Sequence, residues 1–328
     1  MKHIPEPIRD SLASAWELAP SSLKFLGGGQ DWSDGTLFSA PRGGAELVIK
    51  ILDFPPEDSE APSRAEDRIR LVKALGDQGC PIVTPLAAED GRLYLTHSTS
   101  DRLFLAYAYE KVPGRSFRRD DEAIQTGALF EAFGELMGKL HQASAHIDQK
   151  GPALHGWQAE MDFFRSWCDE PVVALAWDHL REALSVLPET PGEYGFVHND
   201  LHLANLLFDP QAPGPLKMTV IDFDVANNHW FMADCAIALY SLACLGAGGL
   251  ESASGPPAGW NERAWSGFWI GYRRQRVPSP AEMSRLDLFL HYRRCLLFMP
   301  LQTETTQDPI WRSRWISRIV EEDKRLFP

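Results

Sequence analysis

Residues 197–208 read VHNDLHLANLLF, a polar core set between apolar ends. Asp200 lies five residues before Asn205, on a predicted loop between apolar segments. Phosphoryl transfer needs little covalent help from a protein; it needs positioning, charge neutralisation and a carboxylate that orients the attacking hydroxyl. Asp200 is therefore a candidate catalytic residue.

A second acidic stretch follows closely. Residues 218–224 read MTVIDFD, which predicts a buried strand that ends in the carboxylates Asp222 and Asp224. Mg²⁺ prefers hard oxygen ligands, taken from one or two carboxylates together with phosphate oxygens. We expect Asp222 and the side-chain oxygen of Asn205 to hold Mg²⁺, with Asp224 as a further metal contact.

The two stretches together resemble the H-x-D-x-x-x-x-N and D-x-D signature of the aminoglycoside phosphotransferase and choline kinase superfamily. The match is carried by His198, Asp200, Asn205 and Asp222. Asn199 stands where phosphotransferases usually have glycine. The resemblance implies an α+β, protein-kinase-like, two-lobed fold and an ATP- or GTP-dependent kinase that uses Mg²⁺ and phosphorylates a hydroxyl of a small molecule.

The resemblance also assigns residues of the nucleotide side. Residues 47–52, LVIKIL, look like the third strand of a kinase lobe, with Lys50 on the α- and β-phosphates and Glu66 as its ion-pair partner. The phosphate-covering loop would contain Gly28 and Gly29. Further residues with an implied nucleotide role are His202 beside the phosphates and Glu110 and Val112 in the adenine-binding hinge.

Two further segments extend the resemblance. Residues 136–141 look like the helix before the catalytic loop, and Asp234 looks like the helix start that braces that loop. Asp234 follows Asp222 after a short stretch without A-P-E, so no peptide-docking segment is expected. The acceptor is therefore expected to be a small molecule of aminoglycoside-, choline- or homoserine-like kind.

Periodicity predicts a mostly β region followed by a mostly α region. Short apolar runs bounded by turn residues predict strands at 23–26, 36–39, 46–52, 93–96 and 103–112. Apolar residues at helical spacing predict helices at 7–18, 63–75, 128–141, 161–187 with a break near Pro171, 233–245, 262–274, 281–298 and 309–326. We predict a nucleotide-binding domain at 1–112 and a catalytic, substrate-binding helical domain at 113–328.

Composition limits the partners and the compartment. The net charge of −13 disfavours nucleic acid and anionic membranes as partners. The five cysteines form no C-x-x-C pair, which favours a reducing compartment. The N-terminus lacks an apolar signal segment, and we expect a cytoplasmic protein. The oligomeric state stays open.

Three alternatives stay open at the level of sequence. His198, Asp200 and His202 could form a transition-metal site. The aromatic residues of the late helices could pack in the core or line a pocket for an ammonium group. The chain could also be a pseudokinase that binds nucleotide without transfer, or a protein Ser/Thr kinase of the bacterial stress type.

Overall fold

The computed structural model describes residues 6–28, 35–58, 60–118, 120–147, 154–248, 257–305 and 309–321. Contacts divide the chain into two compact units. The first comprises the described residues of Met1–Gly114 together with Ile147, Leu154 and Thr219–Asp224. The second comprises the described residues of Arg115–His146, His155–Met218 and Val225–Pro328.

The first unit is built on an antiparallel sheet with the strand order β1-β2-β3-β5-β4. Its elements are α1 (Glu6–Ala15), β1 (Lys24–Gly27), β2 (Thr36–Arg42), β3 (Ala45–Phe54), α2 (Glu60–Asp77), β4 (Leu95–Ser98) and β5 (Leu103–Glu110). Gly43 and Gly44 turn β2 into β3, with φ of 54° and 92°. Positive φ at both central residues gives the turn that matches strand twist.

The two faces of β3 meet different helices. Ile49 and Ile51 belong to one apolar core with Leu12 and Trp16, which α1 and its end supply. Because side chains alternate along a strand, Lys50 points to the opposite face. On that face the neighbouring strand residue Leu105 packs with Ala65 and Ile69 of α2. Lys50 thus lies on the side of the sheet that α2 covers, opposite Tyr107 of β5.

Residues 218–224, here called the acidic segment, join the first unit through backbone hydrogen bonds. Val220 donates to Pro81 O at 2.8 Å and accepts from Val83 N at 2.9 Å. These bonds fix Asp222 and Asp224 to the body of the first unit. The strand ends at Val220 rather than running to Asp224 as predicted. Asp222 has φ of 67°, a left-handed conformation that a strand cannot contain.

The second unit is mainly helical. Its helices are α3 (Glu122–Gln125), α4 (Ala128–Ser144), α5 (Trp157–Arg165), α6 (Pro171–Ser185), α7 (Phe231–Ala247), α8 (Trp260–Arg273), α9 (Pro280–Met283), α10 (Leu286–Thr305) and α11 (Pro309–Val320). The short strands of the second half of the chain are β6 (Tyr194–Val197), β7 (Leu206–Phe208), β8 (Met218–Val220) and β9 (Asn227–Trp230). β6 pairs with β9 in antiparallel fashion.

Helices α4 and α8 approach each other through glycines. A Cβ added at Gly134 would lie 1.9 Å from Phe268 O, and one added at Gly271 would lie 1.9 Å from Glu131 O. Neither position can hold a side chain while the backbones stay where they are. The two glycines therefore set the spacing of the helix pair.

Among the described residues, no helix combines the length and the apolar character that a bilayer span needs.

Most of the predicted elements are confirmed, although β6 and β7 were not predicted as strands. The break near Pro171 is confirmed, since α6 begins there and the Glu170 side chain accepts from Val172 N. The helix predicted at 281–298 is two helices: the short α9, which the capping box of Ser279 and Glu282 starts, and α10, which begins at Leu286. The strand β9 and the short helix α3 were not predicted; the polar Asn227–His229 run hides the strand.

Candidate active site

Lys50 contacts two carboxylates of the acidic segment. Its Nζ donates to Asp222 Oδ1 at 3.2 Å and also to Asp224 Oδ2. The side chains of Lys50 and Asp224 are 7% and 14% exposed, whereas that of Asp222 is 44% exposed. One buried cation is thus shared by two anions, and the more open anion remains accessible.

Burial and charge act against each other in this group. Burial alone would lower the pKa of Lys50, but the Tyr107 hydroxyl and the two aspartates raise that pKa overall. Burial raises the pKa of Asp224; Lys50 and Arg68 oppose this effect and the charge of Asp222 adds to it. The raised pKa means that the loss of hydration of this carboxylate outweighs the positive charge around it. The oxygen donors of this group therefore fit a divalent cation.

Asp222 is held in an unusual backbone conformation. Its φ of 67° lies in the left-handed region, where non-glycine residues are uncommon. Aspartate tolerates this region better than most residues, yet the conformation still costs free energy. Such conformations cluster at functional sites, where the surrounding structure maintains them. The turn aims the Asp222 side chain at Lys50 rather than along a strand.

Helix α2 brings an arginine, rather than the expected glutamate, to this group. Among the described residues the carboxylates that contact Lys50 are Asp222 and Asp224, so the expected Lys50–Glu66 pair is not formed. Glu66 instead lies near the Tyr94 hydroxyl, whose pKa is raised first by burial and then by Glu66. Arg68 lies near Asp224; burial lowers the pKa of Arg68, and the Asp224 charge partly offsets this.

The other residues predicted for the nucleotide side are placed as follows. Gly28 ends the β1 region with φ of 79°, and a Cβ there would lie 2.2 Å from Gly35 O. Gly29 falls outside the described residues. Glu110 closes β5 opposite Leu47. Within the described chain, the Val112 amide makes no hydrogen bond to another backbone group.

In the second unit, Asp234 fixes the start of the loop that carries Asp200. Asp234 Oδ2 accepts from His198 N at 3.1 Å, and Oδ1 accepts from Asn199 N at 2.9 Å. Asp234 is 1% exposed. The bracing role implied by the resemblance is therefore confirmed. His198 is also buried, and its Nδ1 accepts from Asp200 N at 3.3 Å.

A neutral histidine supports Asp234 from α4. Burial lowers the pKa of His141, although Asp234 opposes that effect. A neutral ring can donate from Nε2 to Asp234 Oδ2, at 3.3 Å, and accept at Nδ1 from the Tyr272 hydroxyl, at 2.8 Å. The order Tyr272–His141–Asp234 connects α8 and α4 to the loop. The loop backbone is thus fixed by a buried chain of hydrogen bonds.

Asn199 ties the loop to α5 and α10. Its φ is 65°, so this residue, like Asp222, adopts the left-handed region. Its Nδ2 donates to Glu160 of α5 and, at 3.3 Å, to Val225 O. The Tyr292 hydroxyl of α10 donates to the same Glu160. Burial raises the pKa of Glu160 in spite of these two bonds.

Asp200 has a partner on each carboxylate oxygen. Arg293 Nη2 of α10 donates to Oδ1 at 2.6 Å, and His202 Nε2 lies 3.3 Å from Oδ2. Burial would raise the pKa of Asp200, but the His202 hydrogen bond and the Arg293 charge outweigh it and lower the pKa to about 2. Asp200 is therefore a carboxylate throughout the physiological range, and a weak base.

Asn205 lies on the same loop, in a short 3₁₀ turn at Leu203–Asn205. Its Nδ2 donates to Asp200 O at 3.0 Å, and this bond directs the amide nitrogen to the loop. The Oδ1 atom then points elsewhere and can serve as an oxygen ligand. His202 Nδ1 accepts from Ala204 N at 3.1 Å and starts the turn.

The alternative transition-metal site receives no support. In the described portion of the chain, no three or more His, Cys, Asp or Glu side chains are grouped so that they could hold a metal ion.

The aromatic residues of the late helices pack in the core, which is the first of the two interpretations that the sequence left open. The fully or nearly buried ones are Trp269, Tyr272, Tyr292, Trp311 and Trp315.

The predicted residues therefore form two groups. Lys50, Asp222 and Asp224 come together in the first unit, and Asp200, His202 and Asn205 come together in the second. Sequence reasoning missed Arg293 and Arg68. No local pattern marks Arg293, which contacts a residue 93 positions away.

Comparison with known proteins places the chain in a family. The sequence model of the phosphotransferase enzyme family matches residues 25–265. The chain is 26% identical over 299 residues to amicoumacin kinase of Bacillus subtilis (strain 168), across 89% of this chain and 83% of that protein.

Solved structures show the same fold. The amicoumacin kinase hAmiN, in complex with AMP-PNP, Ca²⁺ and Ami, superposes with a TM-score of 0.81 and 22% identity, over 99% of this chain and 96% of that one. A microcompartment-associated aminopropanol kinase gives a TM-score of 0.70 and 20% identity, over 96% and 94% of the two chains. The expected kinase-like α+β fold is confirmed. The family match covers most of the chain, which therefore belongs to the phosphotransferase enzyme family and is a small-molecule kinase with an alcohol group as acceptor.

Proposed function

We propose that this enzyme transfers the γ-phosphate of ATP to a hydroxyl group of a small amino alcohol in the presence of Mg²⁺. The observation that carries the proposal is the ionised Asp200, which is fixed on the same loop as the amide of Asn205. Amicoumacin kinase and aminopropanol kinase, named among the similar proteins, support an acceptor with an amine and a hydroxyl.

Each predicted residue except Glu66 has a part in this reaction. Lys50 would bind the α- and β-phosphates, and the Val112 amide and the Glu110 carbonyl would bind adenine. The loop at Gly28 and Gly29 would cover the phosphates, with His202 beside them. Mg²⁺ would be held by Asn205, Asp222 and Asp224, and it supplies charge neutralisation on the phosphate oxygens.

Asp200 would orient the acceptor hydroxyl for in-line attack. The acceptor oxygen forms its bond to the γ-phosphorus as the bond to the β,γ-bridging oxygen breaks, and ADP leaves. The hydroxyl proton moves to an Asp200 oxygen. Because the pKa of Asp200 is about 2, it accepts that proton late, when the oxygen has already lost most of its electron density to phosphorus.

The test measures ADP release by the full chain with ATP and Mg²⁺, in the presence of amicoumacin A, 1-aminopropan-2-ol or spectinomycin. We expect one acceptor to stimulate ADP release, EDTA to stop it, and Asp200→Asn and Asp222→Asn each to abolish it. Asp209→Asn is the matched control, because Asp209 is exposed and caps a turn just past the loop. Near-normal turnover by either of the first two variants would contradict the proposal.

A further inference from the structure

Two consecutive residues of α10 contact the loop that carries Asp200. Tyr292 donates to Glu160, which also accepts from Asn199 of the loop. Arg293 donates directly to Asp200 Oδ1 at 2.6 Å. The loop is therefore connected to α10 at two adjacent positions, in addition to the contact with Asp234 on α7. Helix α7 fixes the backbone amides of the loop through Asp234, and helix α10 fixes its side chains.

The contact between Arg293 and Asp200 is buried on the arginine side. The Arg293 side chain is 10% exposed and that of Asp200 is 32% exposed. A buried guanidinium needs an anionic partner, and removal of one partner from such a pair leaves an uncompensated charge. The planar guanidinium also fixes the direction of its donors more closely than an ammonium group does.

The two oxygens of Asp200 differ in their partners. Oδ1 is bound by the nearly buried Arg293 at 2.6 Å. Oδ2 faces His202 at 3.3 Å, and the His202 side chain is 33% exposed. The first contact is short and shielded, whereas the second is long and open to solvent. An incoming hydroxyl can therefore approach Oδ2 more readily than Oδ1.

We infer that Arg293 is a positioning residue, which fixes the Asp200 carboxylate by Oδ1 and presents Oδ2 to the acceptor hydroxyl. This inference rests on the proposed function, since it assumes that Asp200 acts on the acceptor. It adds Arg293 of α10 to the residues of the candidate active site. Tyr292 and Glu160 support the same loop one residue earlier.

The neighbouring Arg294 provides a matched control. It lies on the same helix, is 8% exposed like Arg293, and donates to Arg318 O at 2.8 Å rather than to a residue of the loop. Arg293→Met and Arg294→Met thus remove the same group from adjacent buried positions. They differ in whether the partner is Asp200.

The experiment measures Mg²⁺-dependent ATP hydrolysis, in which water is the acceptor, for the full-length wild type and its variants. We expect Arg293→Met to lower kcat on the order of 100-fold with the KM for ATP unchanged. Arg293→Lys should restore part of the loss, because it keeps the charge without the planar donor pair. Arg294→Met should keep the wild-type kcat, and thermal unfolding of each variant checks that the fold is intact.

The outcomes separate the inference from the proposed function. Equal kcat for Arg293→Met and Arg294→Met, with Asp200→Asn inactive, would overturn the inference and leave the proposed function standing. A higher kcat for Arg293→Met would also overturn it, because Arg293 would then be blocking Asp200. Wild-type hydrolysis that persists in Asp200→Asn would overturn the proposed function together with the inference. If the wild type does not hydrolyse ATP with water, the same variants are compared in acceptor-stimulated ADP release, with the same outcomes deciding. Failure of Arg293→Met to fold leaves Arg293→Lys as the deciding variant, and its full wild-type kcat would contradict a geometric role.

Discussion

The charged groups of the two units place their carboxylates in different surroundings. In the first unit, Lys50 contacts two carboxylates, Asp222 and Asp224, and Arg68 lies near Asp224. In the second, one carboxylate, Asp200, is served by Arg293 and His202. The pKa of Asp224 is raised, first by burial, whereas that of Asp200 is lowered to about 2.

This contrast separates two tasks. A buried carboxylate whose pKa stays raised beside its cations is stabilised further when another cation binds. A carboxylate that is already saturated with donors gains little from a further cation, but its direction and charge are fixed. The first group is thus suited to binding metal and phosphate, and the second to orienting an acceptor. The predictions below alter one group at a time.

The largest effect is expected from removal of the shared cation. Lys50→Met would leave Asp222 and Asp224 without their common partner and the nucleotide phosphates without an ammonium group. We expect kcat to fall by about 100- to 1000-fold, as for other preorganised donors to developing charge. Steady-state kinetics with varied ATP would measure it, and Lys73→Met is the control, on a lysine of α2 that pairs with the exposed Asp77. An unchanged kcat would show that Lys50 is dispensable for the first group.

A smaller effect is expected from the support of the second group. In Asp234→Asn, one oxygen becomes an NH₂ group that faces the backbone donors of His198 or Asn199 in a site 1% exposed. We expect the free energy of unfolding to fall by about 1–3 kcal/mol, the cost of an unsatisfied buried donor. Urea unfolding would measure it.

The control for that measurement is Asp178→Asn. Asp178 is 52% exposed in its ion pair with Arg165, so its loss should change stability by less than about 0.5 kcal/mol. Equal losses for the two variants would mean that the Asp234 contacts to the loop add nothing specific.

The smallest effect is a pH dependence of stability. The pKa of Asp200 is about 2 in the folded chain against an ordinary value of 3.8. A depressed pKa contributes stability above the ordinary value and loses it as pH falls through the folded value. The stability difference between wild type and Asp200→Asn should therefore be constant at neutral pH and shrink as pH falls from 4 toward 2. Denaturant unfolding at a series of pH values tests this, and a difference that grows on acidification would contradict the low pKa.

Sequence patterns predicted the parts of the molecule whose signal is local. Asp200 and Asn205 lie on one short loop, and Asp222 and Asp224 on one short segment, so spacing alone relates them. Asp234 was placed by the family resemblance, and its contacts to the loop confirm that role. The capping signal of Ser279 and Glu282 was also present in the sequence and marks the start of α9.

Other features depend on tertiary contacts that no local pattern encodes. Arg293 reads as one of several arginines on an ordinary helix, and its contact with Asp200 arises from the packing of α10. Arg68 rather than Glu66 lies near Asp224 because of the rotation of α2 about its axis. The spacing of apolar residues predicts that rotation only to within a residue or two. The strand predicted to reach Asp224 ends earlier, because Asp222 adopts a positive φ that a strand cannot contain.

The close contact of α4 and α8 has a consequence for inherited variation in this protein. Gly134 and Gly271 leave no room for even a methyl group, while His141 and Tyr272, farther along the same helices, complete the chain of bonds to Asp234. Substitutions at these glycines would spread the two helices and loosen the loop that carries Asp200, which the glycines do not contact. Temperature-sensitive alleles should therefore concentrate along this helix pair, in a region where a map of active-site residues would give no reason to look for them.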